Sequence, residues 1–307
     1  MCSTATPGPR KPAAEYARLS RMKIACIALP VTLVMTGCST VPLKEAGTLT
    51  SYGSLGAVKG KLGKSRSFVD GKALTGVKTV SISPTSFTGS AFLRVKKAED
   101  RALVANALDR AMCVSLSDKY QIVPGGQPAD LTVRAVVADL VPTDQTMAGV
   151  STAVTLGSGA VLPVSIPRLP IGLGGLAVEA EALDSNGVQR AAMVWSRGAN
   201  SITNTPRISQ IGDAYSLAAT FGNDFSRMLV TGKVPSGLQL SLPSGQRIKS
   251  MLGGKPKYAA CEAFGRAPGI AGMVADKIGA PPTWTDKSGK KRVTAVAAQA
   301  GGPRAAE

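Results

Sequence analysis

The stretch from Arg21 to Ser39 constrains this chain more than any other. Arg21 and Lys23 precede an apolar run from Ile24 to Met35. As a helix that run is shorter than the roughly 20 residues needed to cross about 30 Å of hydrocarbon. Its basic flank and the small residues Thr36 and Gly37 behind it give it the layout of an export signal. A chain behind such a signal is expected to fold outside the cytoplasm. Residues 1–21 are rich in Pro, Ala and Arg and hold no apolar run. They read as a non-native start ahead of Met22 or as a long n-region, with residues 22–37 as the signal peptide.

Met35-Thr36-Gly37-Cys38 resembles the lipobox of bacterial lipoproteins. The resemblance implies that Cys38 carries a diacylglyceryl group on its sulfur, that the chain is cut before it, and that the new amino end is acylated, as with palmitate. At about 0.8 kcal/mol per buried methylene, three chains hold a protein far more firmly than one. Ser39, in place of an aspartate, resembles lipoproteins sent on to the outer membrane, so the body is expected in the cell envelope, facing the periplasm.

Loss of residues 1–37 removes Arg10, Lys11, Arg18, Arg21 and Lys23 against Glu15, so the body stays strongly basic; the whole chain carries +17. Outside the cytoplasm that charge points to anionic headgroups, an anionic glycan or an acidic envelope protein, and away from nucleic acid. Aromatic residues, at 4%, are too sparse for a base-stacking platform. The chain has no histidine. That excludes Ser-His-Asp and Cys-His arrangements and every histidine-containing metal site; no cofactor and no metal are expected. Cys113 and Cys261 remain once Cys2 and Cys26 are cut away and Cys38 is lipidated. They either form a disulfide in an oxidising compartment or stay as buried thiols, a choice that geometry decides.

In chain order, residues 38–50 read as a tether. Gly60-Lys61-Leu62-Gly63-Lys64-Ser65 is similar in part to a phosphate-binding loop, but Val58 stands where its first glycine belongs, so it reads as a basic extended segment. Lys78 to Pro84 alternates as a strand. Ala98 to Lys119 has helical spacing, with Glu99 and Asp100 in the first turn. Leu131 to Leu140, Leu176 to Asp184 and Gln189 to Arg197 read as strands, the last two joined at Asn186-Gly187 as a hairpin. Val141 to Gly175 is almost uncharged and broken by prolines, and is expected to be an irregular hairpin over the sheet or an exposed apolar flap for a partner or a lipid surface. Thr205 to Thr231 reads as the strongest helix, capped by Thr205 and stopped by Gly232. From Pro235 the chain is rich in Gly, Pro and Lys, and weak helices are expected within Lys257–Ile278. Residues 51–234 are thus the mixed domain, 235–286 an extension and 287–307 a disordered basic tail.

Glu179 and Glu181 project from one strand face and suggest a carboxylate pair for glycoside cleavage. The simpler reading is a polar face turned to water with Arg134, Arg190 or Arg197 across from it. Ser288-Gly289-Lys290-Lys291 matches a Ser-x-x-Lys nucleophile pattern whose companion motifs are missing.

The order of features resembles the bacterial lipoprotein family of domain of unknown function 3313. The resemblance lies in Leu49 to Leu55, Phe68-Val69-Asp70, Thr79 to Thr85, Pro128 to Arg134, and Leu176 to Asp184 followed by Gly187. The family implies no catalytic residues. The expected fold is α+β, a mostly antiparallel sheet with two main helices packed on one face, plus a flexible C-terminal extension. The expected function is a lipid-anchored, non-enzymatic binding or accessory module. The alternatives are a hydrolase of envelope glycan or lipid using Glu179, Glu181 or Asp184, and a basic protein bridging membrane and anionic polymer through Lys287 to Glu307.

Overall fold

The computed structural model describes residues 41–61, 63–161, 167–235 and 243–292. The strands are β1 (Gly63–Val69), β2 (Thr79–Ile82), β3 (Ser86–Phe87), β4 (Gln121–Val123), β5 (Leu131–Val141), β6 (Gly175–Asp184) and β7 (Gln189–Gly198). The helices are α1 (Gly89–Arg94), α2 (Ala98–Leu116), α3 (Gln145–Val161), α4 (Gly212–Thr231), α5 (Gly245–Met251) and α6 (Gly269–Lys277), with short 3-10 turns at Ala73–Thr75, Ala259–Phe264 and Pro282–Trp284.

The strands form one sheet in the order β1-β7-β6-β5-β2-β4, with β3 alongside β5. The fold is α+β, and the sheet is mixed rather than mostly antiparallel. β1, β7, β6 and β5 pair antiparallel, whereas β2 with β4, β2 with β5 and β3 with β5 pair parallel. The cause is α2: a long helical crossover returns the chain to the end where β2 began, so β4 has to run beside β2 in the same direction.

Period-two alternation divides the sheet into two faces. Leu176, Val178, Ala180 and Ala182 of β6, with Ala191, Met193 and Trp195 of β7, enter the main core beneath α2 and α4. Phe221 of α4 meets Trp195 edge-on at 5.5 Å between centroids and stacks on Phe225 at 5.9 Å. The two helices cross closely at Gly222, where a Cβ would lie 2.8 Å from both Ala111 Cβ and Leu108 O. The opposite face carries Ala177, Ala192 and Val194 and is covered by the segment that begins at Val41, with Leu49 and Leu55 buried against β7 and Val41 against Ala138 and Ala177. Residues 41–50 are therefore a docked strap and not a loose tether.

Three further expectations change. Residues 145–161 are helical, not an irregular hairpin: Asp144 Oδ1 accepts the amides of Thr146 and Met147 and starts α3. The last long helix starts at Gly212, not Thr205, because residues 206–211 spend their backbone groups on neighbours, Ile208 N on Gly279 O and Gln210 O on Thr143 N. Over residues 243–292 the extension is tied down rather than flexible, since Cys113 of α2 is bonded to Cys261 with Cα atoms 5.8 Å apart. The beginning of the basic tail is tied as well: Arg292 donates to Asn106, Asp109 and Thr85 O. The rest of the expected disordered tail, residues 293–307, lies outside the described residues.

Candidate functional site

Gly37 and Cys38, the expected cleavage and lipidation positions, lie outside the described residues. The carboxylate pair lies inside them, and its setting differs from the expectation. Both Glu179 and Glu181 are fully buried rather than turned to water, because the strap covers that face. Glu179 accepts from Ala46 N at 2.6 Å, Thr48 N at 3.1 Å, Thr48 Oγ1 at 2.5 Å and the Tyr52 hydroxyl at 2.7 Å. Glu181 accepts from Thr50 N at 2.9 Å, Thr50 Oγ1 at 3.0 Å and Gln189 Nε2 at 2.6 Å. Its ion-pair partner is Arg134, directly opposite on β5. Arg190 instead holds Asp184 and Asp70, and Arg197 does not reach the pair. The strap thus supplies the donors that make burial of two charges tolerable. Tyr52 closes the arrangement by accepting from the amides of Thr48 and Leu49, and burial together with Glu179 raises its phenol above the ordinary range. The third carboxylate, Asp184, accepts the amides of Asn186 and Val188 and shapes the β6–β7 turn.

On the helical side, Arg110 of α2 reaches through to the extension. It donates to Phe264 O, Arg266 O, Asp286 Oδ2 at 2.8 Å and the Tyr215 hydroxyl at 3.1 Å, while Tyr215 donates to Asp286 at 2.7 Å. Burial alone would raise Asp286, but Arg110, the Ser288 amide and the Tyr215 hydroxyl hold its carboxyl below the usual range. The residue before Arg110 on α2, Asp109, is fully buried against Thr85 and Arg292, and burial pushes its carboxyl up to about 6 despite the arginine. Ser288 and Lys291 line a cavity of ≈ 480 Å³ with Glu262 and Arg266. The Ser288 hydroxyl is buried there without a hydrogen-bond partner.

A second groove runs between α2, α4 and α5, a cavity of ≈ 340 Å³ bordered by Val114, Ala219, Asn223, Arg227, Arg247 and Met251. Two smaller hollows meet it at Arg227 and extend it past Ser115 and Lys233. Asn223 Oδ1 is the hub, accepting from Arg247 Nη2 at 2.6 Å and Ser115 Oγ at 2.8 Å. Burial lowers the Arg247 guanidinium, and the charge of Arg227 adds to this against Asp118 and Asp224. Two arginines held side by side in a groove make a seat for a planar anion such as a carboxylate or sulfate. Sequence reasoning missed this pair because Arg227 and Arg247 come from different helices and carry no local motif. Among the described residues no group of His, Cys, Asp and Glu is placed to hold a metal ion, and no helix is long and apolar enough to cross a membrane.

Fold and site together define an α+β domain with a pinned amino-terminal strap and a disulfide-tied carboxy-terminal cap. The family described as Protein of unknown function (DUF3313) matches residues 44–225, and the chain belongs to that family. The match takes in most of the strap, the whole sheet and most of α4, and it ends before the cap. Comparison with curated proteins gives no match. Among solved structures, the chain is similar to the PelC dodecamer from Paraburkholderia phytofirmans, at 13% identity and a TM-score of 0.33 over 57% of this chain and 99% of that one. A point variant of the same dodecamer gives 13% identity and a TM-score of 0.31 over the same shares.

Proposed function

We propose that this protein is an envelope lipoprotein, acylated at Cys38 and held on the outer membrane facing the periplasm, whose body binds a ligand without transforming it. The observation that carries the reading is the engagement of Glu179 and Glu181 by residues 46–52. A chain leaving a lipidated cysteine needs a firm hold on the body it carries, and the strap has one within a few residues. The same bonds occupy the carboxylates on which the hydrolase alternative depends, and Asp184 is committed to a turn. The groove of Arg227 and Arg247 supports an anionic glycan or an acidic protein surface as the ligand, in keeping with a basic body outside the cytoplasm.

Palmitate labelling of cells, followed by fractionation, tests the anchor. Wild type should carry label in the membrane fraction and Cys38→Ala should lose both; an unlabelled wild type overturns the reading. Binding to dextran sulfate tests the groove. The Arg227→Ala/Arg247→Ala double variant should bind at least tenfold more weakly than wild type, and equal binding removes the groove from the proposal.

A further inference from the structure

The strap enters the fold at one defined place. Val41 is buried against Ala138 and Ala177, and its Cγ2 fills the space that a Cβ on Gly175 would need. Val141 pairs with Gly175, and Gly175 with Gly198. Val41 therefore sits where β5 ends, β6 begins and β7 ends. Val41 lies three positions after Cys38, a reach of at most about 11 Å when extended. If Cys38 is acylated, this end of the sheet is held within that distance of the acyl chains.

The segments that leave this same end share an unusual chemistry. Charged residues make up 18% of the chain, yet from Gln145 to Leu176 Arg168 is the only one, and Gly198 to Pro206 has none. Arg168 is turned inward, its guanidinium gripping the Asp213 carboxylate with both Nη atoms. Asp213 also accepts Gly174 N at 2.8 Å and Thr143 Oγ1 at 3.0 Å, and Ser151 of α3 accepts Leu169 N. The one charge is thus used to brace the loops from inside. Outside, Ile202 is 88% exposed, Ile171 49%, Leu156 47% and Val150 46%. Ile202 is held out by a rigid turn in which Asn200 Oδ1 accepts the amides of Ile202 and Thr203. A large apolar side chain fixed in that pose loses little conformational freedom on meeting an apolar phase.

We infer that this end of the molecule is the face that lies on the bilayer, with Ile202, Ile171 and the exposed side of α3 entering the boundary between headgroups and acyl chains. The inference rests on acylation of Cys38. It adds an orientation: the β6–β7 turn and the β4–β5 connection point away from the membrane. The lipid surface is favoured over a second copy of the chain because the anchor's short reach brings this end to the bilayer, and because α3 and the loops that carry Ile171 and Ile202 present no charge that would have to be desolvated, the exposed carboxylate of Asp144 lying just ahead of α3.

Full-length acylated protein, reconstituted into phosphatidylethanolamine–phosphatidylglycerol vesicles, provides the test. A polarity-sensitive fluorophore is placed on Ile202→Cys and, at the opposite end of the strands, on Asn186→Cys. Both positions are exposed, so neither change burdens the fold. With vesicles that carry nitroxide-labelled lipid, the label on Ile202→Cys should be blue-shifted and quenched at least threefold, and that on Asn186→Cys unaffected. If the protein floats with the vesicles but the two labels are quenched alike, the orientation is wrong and the anchor stands. If it does not float, anchor and orientation both fall. A blue shift that needs no lipid and grows with protein concentration assigns the face to a second copy and overturns the inference.

Discussion

Replacing Glu179 with glutamine should release the strap while leaving the sheet folded. Oε2 of Glu179 accepts from Thr48 N, Thr48 Oγ1 and Tyr52, and Oε1 from Ala46 N. A glutamine can keep its oxygen toward the first three, which turns its NH2 group against the amide of Ala46 and leaves two donors facing each other. Each charge-assisted bond is worth about 1.5–3 kcal/mol and its neutral counterpart about 0.5–1.5. Three weakened bonds and one orphaned donor thus total several kcal/mol. The loss is capped by the docking energy of the strap itself, because a strap that has lifted away can lose no more and its donors regain water. Leu49, Leu55, Val41 and the bonds to Glu181 still favour docking, so we expect a net cost of about 3 kcal/mol, which is about 10²-fold in the opening equilibrium. The reporter is the amide of Thr50, whose own acceptor, Glu181, is untouched. In native-state hydrogen exchange it should exchange about 10²-fold faster in Glu179→Gln while β7 amides change far less. Unchanged exchange at Thr50, or equal acceleration throughout β7, would refute the view that Glu179 acts as the pin of the strap.

Gly222→Ala should destabilise the protein although alanine is the better helix former by about 1 kcal/mol. The added methyl has 2.8 Å to Ala111 Cβ and to Leu108 O, so α2 has to move, and an overpacking cost of about 1–3 kcal/mol outweighs the propensity gain. The urea midpoint should fall with an unchanged slope, and a rise would contradict the packing described. Asp109 gives a pH signature. Its folded carboxyl titrates at about 6 against 3.8 when free, so the native state binds the extra proton between these values. The stabilisation is present below pH 4 and is lost as pH rises through 6. The stability of wild type relative to Asp109→Asn should therefore fall by about 2 kcal/mol from pH 4 to pH 7. Denaturant curves that show a flat or rising difference would mean that Arg292 and Thr85 outweigh burial.

The local signals in the chain were strong where one element decides its own form. The alternation in Leu176 to Asp184 and the Asn186-Gly187 turn define β6, its hairpin and the face that carries Glu179 and Glu181. The spacing of apolar residues defines α2 and most of α4, because burial of one stripe is a property of consecutive residues. The strand direction around β2 was not legible, since parallel pairing follows from where the α2 crossover delivers β4 and not from either strand's composition. α3 was hidden because glycine, threonine and valine weaken the helical signal that Asp144 and the braces at Arg168 and Ser151 restore. The cysteines could be counted but not joined, as 148 residues of intervening chain leave their separation open until the cap folds onto α2. The largest reversal concerns Glu179 and Glu181. Sequence placed them on an outer face, and only tertiary structure lays the strap over that face, where its amides and hydroxyls turn two exposed carboxylates into buried pins.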